Sequence, residues 1–171
     1  MNEKIWVVSD THFDHKNIIT YCARPYKTVE EMNRDIVKKW NSVVRSGDIV
    51  YHLGDFGMGN KEAVTRWRRA LNGRIRLIKG NHDDHSNQWY RDCGFEEVYD
   101  RPILIQDFFI LSHAPLAFMN DNIPFVNIYG HMHNDERWRP FTKHSFNACL
   151  EVNGYMPILF EDIKNKIEGE E

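Results

Sequence analysis

Ile5-Trp6-Val7-Val8-Ser9-Asp10-Thr11-His12 runs from apolar residues into a polar tip. The unbroken apolar run predicts a strand over Lys4 to Ser9 that is buried on both faces, as in an α/β sandwich. It stops at Asp10 and His12, two side chains able to ligate a metal. Taken alone, an Asp and a His two residues apart are most simply a strand-end turn. A metal site needs further ligands, each from the end of another strand.

Working outward, four more predicted strands end this way. Asp48 to Leu53 stops at Gly54-Asp55, and Arg74 to Lys79 stops at Gly80-Asn81-His82-Asp83. Phe108 to Leu111 leads to Ser112-His113, and Phe125 to Tyr129 to Gly130-His131-Met132-His133. The glycines at 54, 80 and 130 let the backbone turn sharply and approach a bound ion. Open α/β sheets form their sites beyond the carboxyl ends of strands.

Helical segments lie between these strands. Phe13 to Arg24 reads as a loop and short helix closed by Pro25. Thr28-Val29-Glu30-Glu31 is a capping box, opening a helix with the stripe Met32, Ile36, Val37, Trp40, Val43 and Val44 that ends near Ser46-Gly47. Asn60 caps a helix through Leu71, and Asn87 to Asp92 is a short one. Beyond Gly94 the chain turns β-rich: Glu96 to Tyr99, then Ile103 to Gln106 with a hairpin turn at Gln106-Asp107. Short strands are expected near Glu136–Trp138, Ser145–Asn147 and Met156–Phe160, then a last helix over Glu161 to Ile167. The expected fold is α/β, a four-layer αββα sandwich of two mixed β-sheets flanked by helices.

A chain of 171 residues fits one domain spanning 1–171 without a separate cap domain. Its net charge of −3 gives no global pull toward nucleic acid or anionic membrane. Cys22, Cys93 and Cys149 have no close spacing and read as free thiols, so a cytoplasmic location is expected. No apolar run approaches the ~18 residues of a membrane span, and no protein partner is required. Mixed nitrogen and oxygen ligands suit manganese, iron, zinc or nickel and suit calcium poorly.

The set Asp10-Thr11-His12, Gly54-Asp55, Gly80-Asn81-His82-Asp83, Ser112-His113 and Gly130-His131-Met132-His133, in that order, resembles the calcineurin-like metallophosphoesterase superfamily. Phe13-Asp14-His15, Ile18-Ile19, Tyr21, Arg24-Pro25 and the stretch Asn147 to Pro157 resemble a compact bacterial and phage subgroup of predicted phosphoesterases. The resemblance implies that Asp10, His12 and His133 hold a first divalent metal ion, and Asn81, His113 and His131 a second. Asp55 would bridge them, with manganese the expected ion and iron, zinc or nickel the alternatives. It further implies in-line attack by a bridging hydroxide on a phosphomonoester or small phosphodiester, a nucleotide among them, with His82 assisting the leaving oxygen. Nuclease or cyclic-nucleotide phosphodiesterase activity is the alternative on the same site. A non-catalytic protein-binding scaffold is the rival class, disfavoured because all seven ligand positions and His82 are filled.

Other residues carry two readings. His15 and Arg24 follow the first ligand loop and either reach the substrate from its rim or serve as a helix cap and a salt bridge. His52 reads as a hydrogen-bonded structural residue and Asp83 as an anchor for a loop backbone or His82. Arg66, Arg68 and Arg69 read as a solvated face, with a nucleic-acid patch the alternative, and Trp6, Trp40, Trp67 and Trp89 as core. After Gly54-Asp55 the chain gives Phe56-Gly57-Met58-Gly59, where many superfamily members place a further polar residue. That departure leaves the choice of substrate open.

Overall fold

The computed structural model describes residues 3–117, 124–135 and 144–168. In chain order the elements are β1 (Ile5–Val8), α1 (Lys16–Tyr21), α2 (Val29–Val43), β2 (Ile49–His52), α3 (Lys61–Ala70), β3 (Arg74–Ile78) and α4 (Asn87–Asp92). Then follow β4 (Glu97–Tyr99), β5 (Ile103–Ile105), β6 (Phe109–Ser112), β7 (Val126–Tyr129), β8 (Ser145–Asn147), β9 (Ile158–Leu159) and α5 (Phe160–Glu168). The strand expected near Glu136–Trp138 lies outside the described residues.

Two mixed sheets result, as expected. The first has the order β4-β3-β2-β1-β9, with β1 to β4 parallel and β9 antiparallel. The second has the order β5-β6-β7-β8, with the β5–β6 hairpin antiparallel and the rest parallel. Alternation along β1 separates two cores. Trp6 and Val8 face the helices with Met32, Ile36 and Trp40 of α2, while Val7 faces the second sheet with Leu111 and Ile128. Burying each such side chain contributes roughly 1.5–3 kcal/mol. That is why β1, with both faces covered, is almost purely apolar. α5 packs against β1, β9 and β8 and sends Phe160 and Ile163 into the inter-sheet core.

The parallel strands point their carboxyl ends to one edge, and direct bonds join the sheets there. Ser9 pairs with Cys149 in an isolated parallel bridge, its N–H donating to Ala148 O at 2.9 Å.

Local chemistry corrects several expectations. Thr28 accepts the Glu31 N–H at 3.2 Å, but the Glu31 carboxylate returns to the Lys27 N–H at 2.9 Å, one residue before the expected partner. α2 stops at Val43 because Val44 is extended, earlier than Ser46-Gly47. Arg68 is half-buried rather than part of a solvated face: it donates to the carbonyls of Gly94, Leu71 and Gly73, closing the end of α3, and burial lowers its pKa to about 10. Trp6 and Trp40 are buried, whereas Trp67 and Trp89 are half-buried at the margin of the core. No helix among the described residues is long and apolar enough to cross a membrane.

Candidate metal centre

The turns after β1, β2, β3, β6 and β7 bring their polar residues within a few ångströms of one another. Asp10, His12 and His133 form one group whose ligand atoms all lie within 4.8 Å, and Asp55, His113 and His131 form a second. In the first, Asp10 Oδ1 is 3.7 Å from His12 Nε2 and 3.5 Å from His133 Nε2. In the second, His113 Nε2 is 2.9 Å from Asn81 Oδ1 and 3.1 Å from His131 Nδ1. Asp55 Oδ2 lies between them, 3.5 Å from His12 Nε2 and 3.6 Å from His113 Nε2.

The backbone that achieves this is strained. Asp10 (φ 60°), His12 (φ 50°), Asp55 (φ 56°), His131 (φ 67°) and His133 (φ 48°) all occupy the left-handed region. That conformation is uncommon for residues bearing a β-carbon and costs of order 1 kcal/mol or more at each. Glycine serves a different purpose here. A β-carbon on Gly80 would stand 2.2 Å from Asp55 Oδ1, and one on Gly130 would stand 1.8 Å from Ser9 Oγ and 2.5 Å from Asp10 Oδ2. These turns therefore approach the ligands more closely than any other residue permits.

The groups fit cations. Asp10 Oδ1 and His12 Nε2 are buried and have no hydrogen-bond partner. A buried carboxylate oxygen left so costs several kcal/mol unless a positive charge faces it. Ligands bound at ~2.1 Å lie ~3.0–3.4 Å from each other around a metal, close to the spacings here.

Three of the four imidazoles in these groups are also oriented from behind. His113 Nδ1 donates to Leu53 O at 2.7 Å, which turns the Nε2 lone pair toward Asp55 and Asn81. His133 Nδ1 is 2.9 Å from Glu151 Oε1, and His12 Nδ1 is 3.1 Å from His15 Nδ1. Asp10 Oδ2 accepts the His131 N–H at 2.8 Å and the Cys149 thiol at 3.3 Å, leaving Oδ1 for the centre. Asp83 accepts N–H bonds from Asp55, Phe56 and Gly80 and so ties the turns after β2 and β3 together.

Protonation follows from these contacts. Burial raises the Asp10 pKa, but the His12 ring 3.7 Å away and the charges of His133 and His113 outweigh it and hold the carboxyl well below its ordinary range. Burial lowers that of His133, yet the nearby Cys22 thiol, the hydrogen bond to Glu151 and the Asp10 charge carry it up to about 10. His15 is lowered to about 4, first by burial and then by the neighbouring His12 and His82.

The expected site residues fall into distinct positions. The seven expected ligands converge as two groups joined at Asp55. His82 stands apart from both groups on the exposed side; its ring is 5.5 Å from that of His12 and its backbone N–H donates to Asp55 Oδ1 at 2.9 Å. His15 occupies the N-cap position of α1, but its side chain caps nothing and instead meets His12. Arg24, considered for the substrate rim, is 4% exposed. All its N–H groups are engaged: by Glu151, by the Asp10 and Thr11 carbonyls, and by Met32 Sδ. A guanidinium so committed cannot also bind a phosphate.

His52 is structural, as expected. Its Nδ1 accepts the Gly54 N–H and its Nε2 meets Thr11 Oγ1 at 2.9 Å, joining the first two ligand turns. Glu151 and Cys149 escaped sequence reasoning. Their only signal was membership of the Asn147–Pro157 stretch, since neither sits beside a ligand in sequence. Two clefts flank the centre. One of about 310 Å³ includes Asn81, His82, Met58 and Trp89, and one of about 580 Å³ includes Tyr21, His131 and His133.

Comparison with known proteins agrees with this geometry. The profile of the calcineurin-like phosphoesterase family matches residues 3–169. An uncharacterized protein of Methanocaldococcus jannaschii, MJ1445, is 38% identical over 172 residues, covering 96% of this chain and 92% of that protein. The gene 66 protein of Mycobacterium phage L5 is 37% identical over 81 residues, 46% of this chain and 39% of the phage protein. The crystal structure of AQ665 from Aquifex aeolicus, a protein of unknown function, superposes with a TM-score of 0.73 at 28% identity, covering 96% of this chain and 100% of that one. With its ligand turns in family order and the profile spanning nearly its whole length, the chain belongs to the calcineurin-like phosphoesterase family.

Proposed function

We propose that the protein hydrolyses phosphomonoesters or small phosphodiesters with a pair of divalent cations, manganese being the expected ion. The observation that carries this reading is the position of Asp55 Oδ2, 3.5 Å from His12 Nε2 and 3.6 Å from His113 Nε2, where one carboxylate oxygen serves two groups. Asp10, His12 and His133 would hold one cation, Asn81, His113 and His131 the other, and Asp55 both. When bound, such a pair neutralises phosphate oxygens and lowers the pKa of water to near neutrality.

The chain's own residues supply the rest. His82, outside both ligand groups and tied to the centre by its backbone N–H bond to Asp55 Oδ1, delivers a proton from its exposed ring to the departing oxygen. Asp10, anchored through Oδ2 to His131 and Cys149, keeps its free oxygen turned to the centre. The clefts beside His82 and beside His131 give a substituent room on either side of the phosphate, which supports diesters as well as monoesters.

The test is turnover of a panel of phosphomonoesters, small linear and cyclic diesters and single-stranded nucleic acid, with manganese, iron, zinc or nickel. Metal-stimulated hydrolysis of a mono- or small diester is expected. Bound metal with no turnover of any ester would favour a binding scaffold instead.

A further inference from the structure

We propose that Glu151 and Arg24 are positioning residues that set the cation affinity of the first group, an inference that rests on the metal-dependent reading above. Glu151 lies in the 3-10 turn Leu150–Val152 beyond β8, far in sequence from every ligand motif. Its Oε1 meets His133 Nδ1 at 2.9 Å. Donation of that N–H to the carboxylate fixes the ring and directs Nε2 toward Asp10 Oδ1 at 3.5 Å, where a bound cation would take the place of the Nε2 proton.

Arg24 extends the contact to the opposite turn. Its Nε and one terminal nitrogen reach Glu151 Oε1 at 2.8 and 2.6 Å, while the terminal nitrogens also donate to Asp10 O at 2.6 Å and Thr11 O at 3.0 Å. The Arg24 and Glu151 side chains are 0% and 1% exposed. Both turns joined this way are in left-handed backbone: Asp10 and His12 on one side, His133 on the other. Such conformations persist only where surrounding structure over-determines them. Arg24 supplies donors to the first turn, Glu151 an acceptor to the second, and their ion pair sets the distance between the turns. Of the three ligands confined to the first group, this device bonds Asp10 through its carbonyl and His133 through its ring, and reaches His12 through the carbonyl of Thr11 beside it. None confined to the second group, Asn81, His113 or His131, touches it directly.

The test is manganese titration of the wild type, Glu151→Gln and the double variant Arg24→Met/Glu151→Gln. Calorimetry would give the affinities, and electron paramagnetic resonance the ratio of coupled pairs to single ions. The double variant guards against misfolding from a buried arginine stranded without its counter-charge. Melting of the metal-free proteins reports any purely structural loss. Expected is a first-group affinity reduced by ~10–100-fold in both variants, with second-group affinity unchanged and single-ion signal replacing the coupled one at limiting metal. Wild-type affinity at both groups, or a lower melting temperature with the affinity ratio unchanged, would overturn the assignment while leaving the metal-dependent reading intact. Wild-type protein that takes up no metal would overturn that reading, and this assignment with it.

Discussion

Replacing Gly80 by alanine should break the centre without touching a ligand. Gly80 does not need a left-handed φ; it is glycine because of what faces it. Its added β-carbon would stand 2.2 Å from Asp55 Oδ1, 2.6 Å from Asp55 N and 2.8 Å from His113 Cε1. Ordinary contact begins near 3.4 Å, so Asp55 or the Gly80 turn must give by about 1.2 Å. Neither can do so freely. The Asp55 N–H is bonded to Asp83 Oδ2 at 2.6 Å, and Gly80 N–H to the same oxygen at 2.9 Å. Overpacking of this kind costs about 1–3 kcal/mol. Misplacing a reacting group by ~1 Å can cost ~100-fold in rate. The expected Gly80→Ala protein folds with a lowered melting temperature, binds fewer than two metal ions, and is slowed by roughly two orders of magnitude. The assay combines thermal melting, metal content by mass spectrometry and hydrolysis of a chromogenic ester. Gly47→Ala is the control, since nothing lies within 4 Å of its added carbon. A Gly80→Ala protein with wild-type melting, metal content and rate would refute the close-approach argument.

Two further outcomes follow from named contacts. His82→Ala should keep both metal ions but lose ~10²–10⁴-fold in rate, checked by metal analysis beside turnover; loss of both ions would show that His82 is a ligand. His52 is buried, which lowers its pKa from 6.5 to about 3, so the unfolded chain takes up its proton at a higher pH than the folded one. Its contribution to stability is therefore full above about pH 6.5 and is lost as pH falls toward 3, at ~1.4 kcal/mol per pH unit. Denaturant unfolding of the metal-free protein should show this slope flattened in His52→Gln; equal slopes would discount the buried histidine.

Much of the site was legible because its motifs are local. A strand that ends in Gly-Asp or Gly-His-Met-His carries its ligand, its turn and its burial pattern within a few residues. The parallel arrangement that aims these ends together follows from apolar strands alternating with helices. What was not legible acts over distance. Arg24 and Glu151 are 127 residues apart, and neither is marked by a motif of its own. Arg24 read as a rim cation because a guanidinium suits phosphate, but only the fold shows which of its possible acceptors surround it. Arg68 misled in the same way: an arginine on a polar helix face reads as solvated, whereas its donors close backbone carbonyls at the end of α3. The Glu31 carboxylate missed its expected partner by one residue, a difference no pattern resolves.

The dinuclear reading turns on the position of Asp55 between the two groups. Its most direct test is the metal count and spin coupling of manganese-loaded wild-type and Asp55→Ala protein. Two ions per chain with a coupled pair signal are expected in the wild type, and loss of that pairing in Asp55→Ala. A wild type that binds a single ion, or an Asp55→Ala variant with unchanged stoichiometry and coupling, would contradict it.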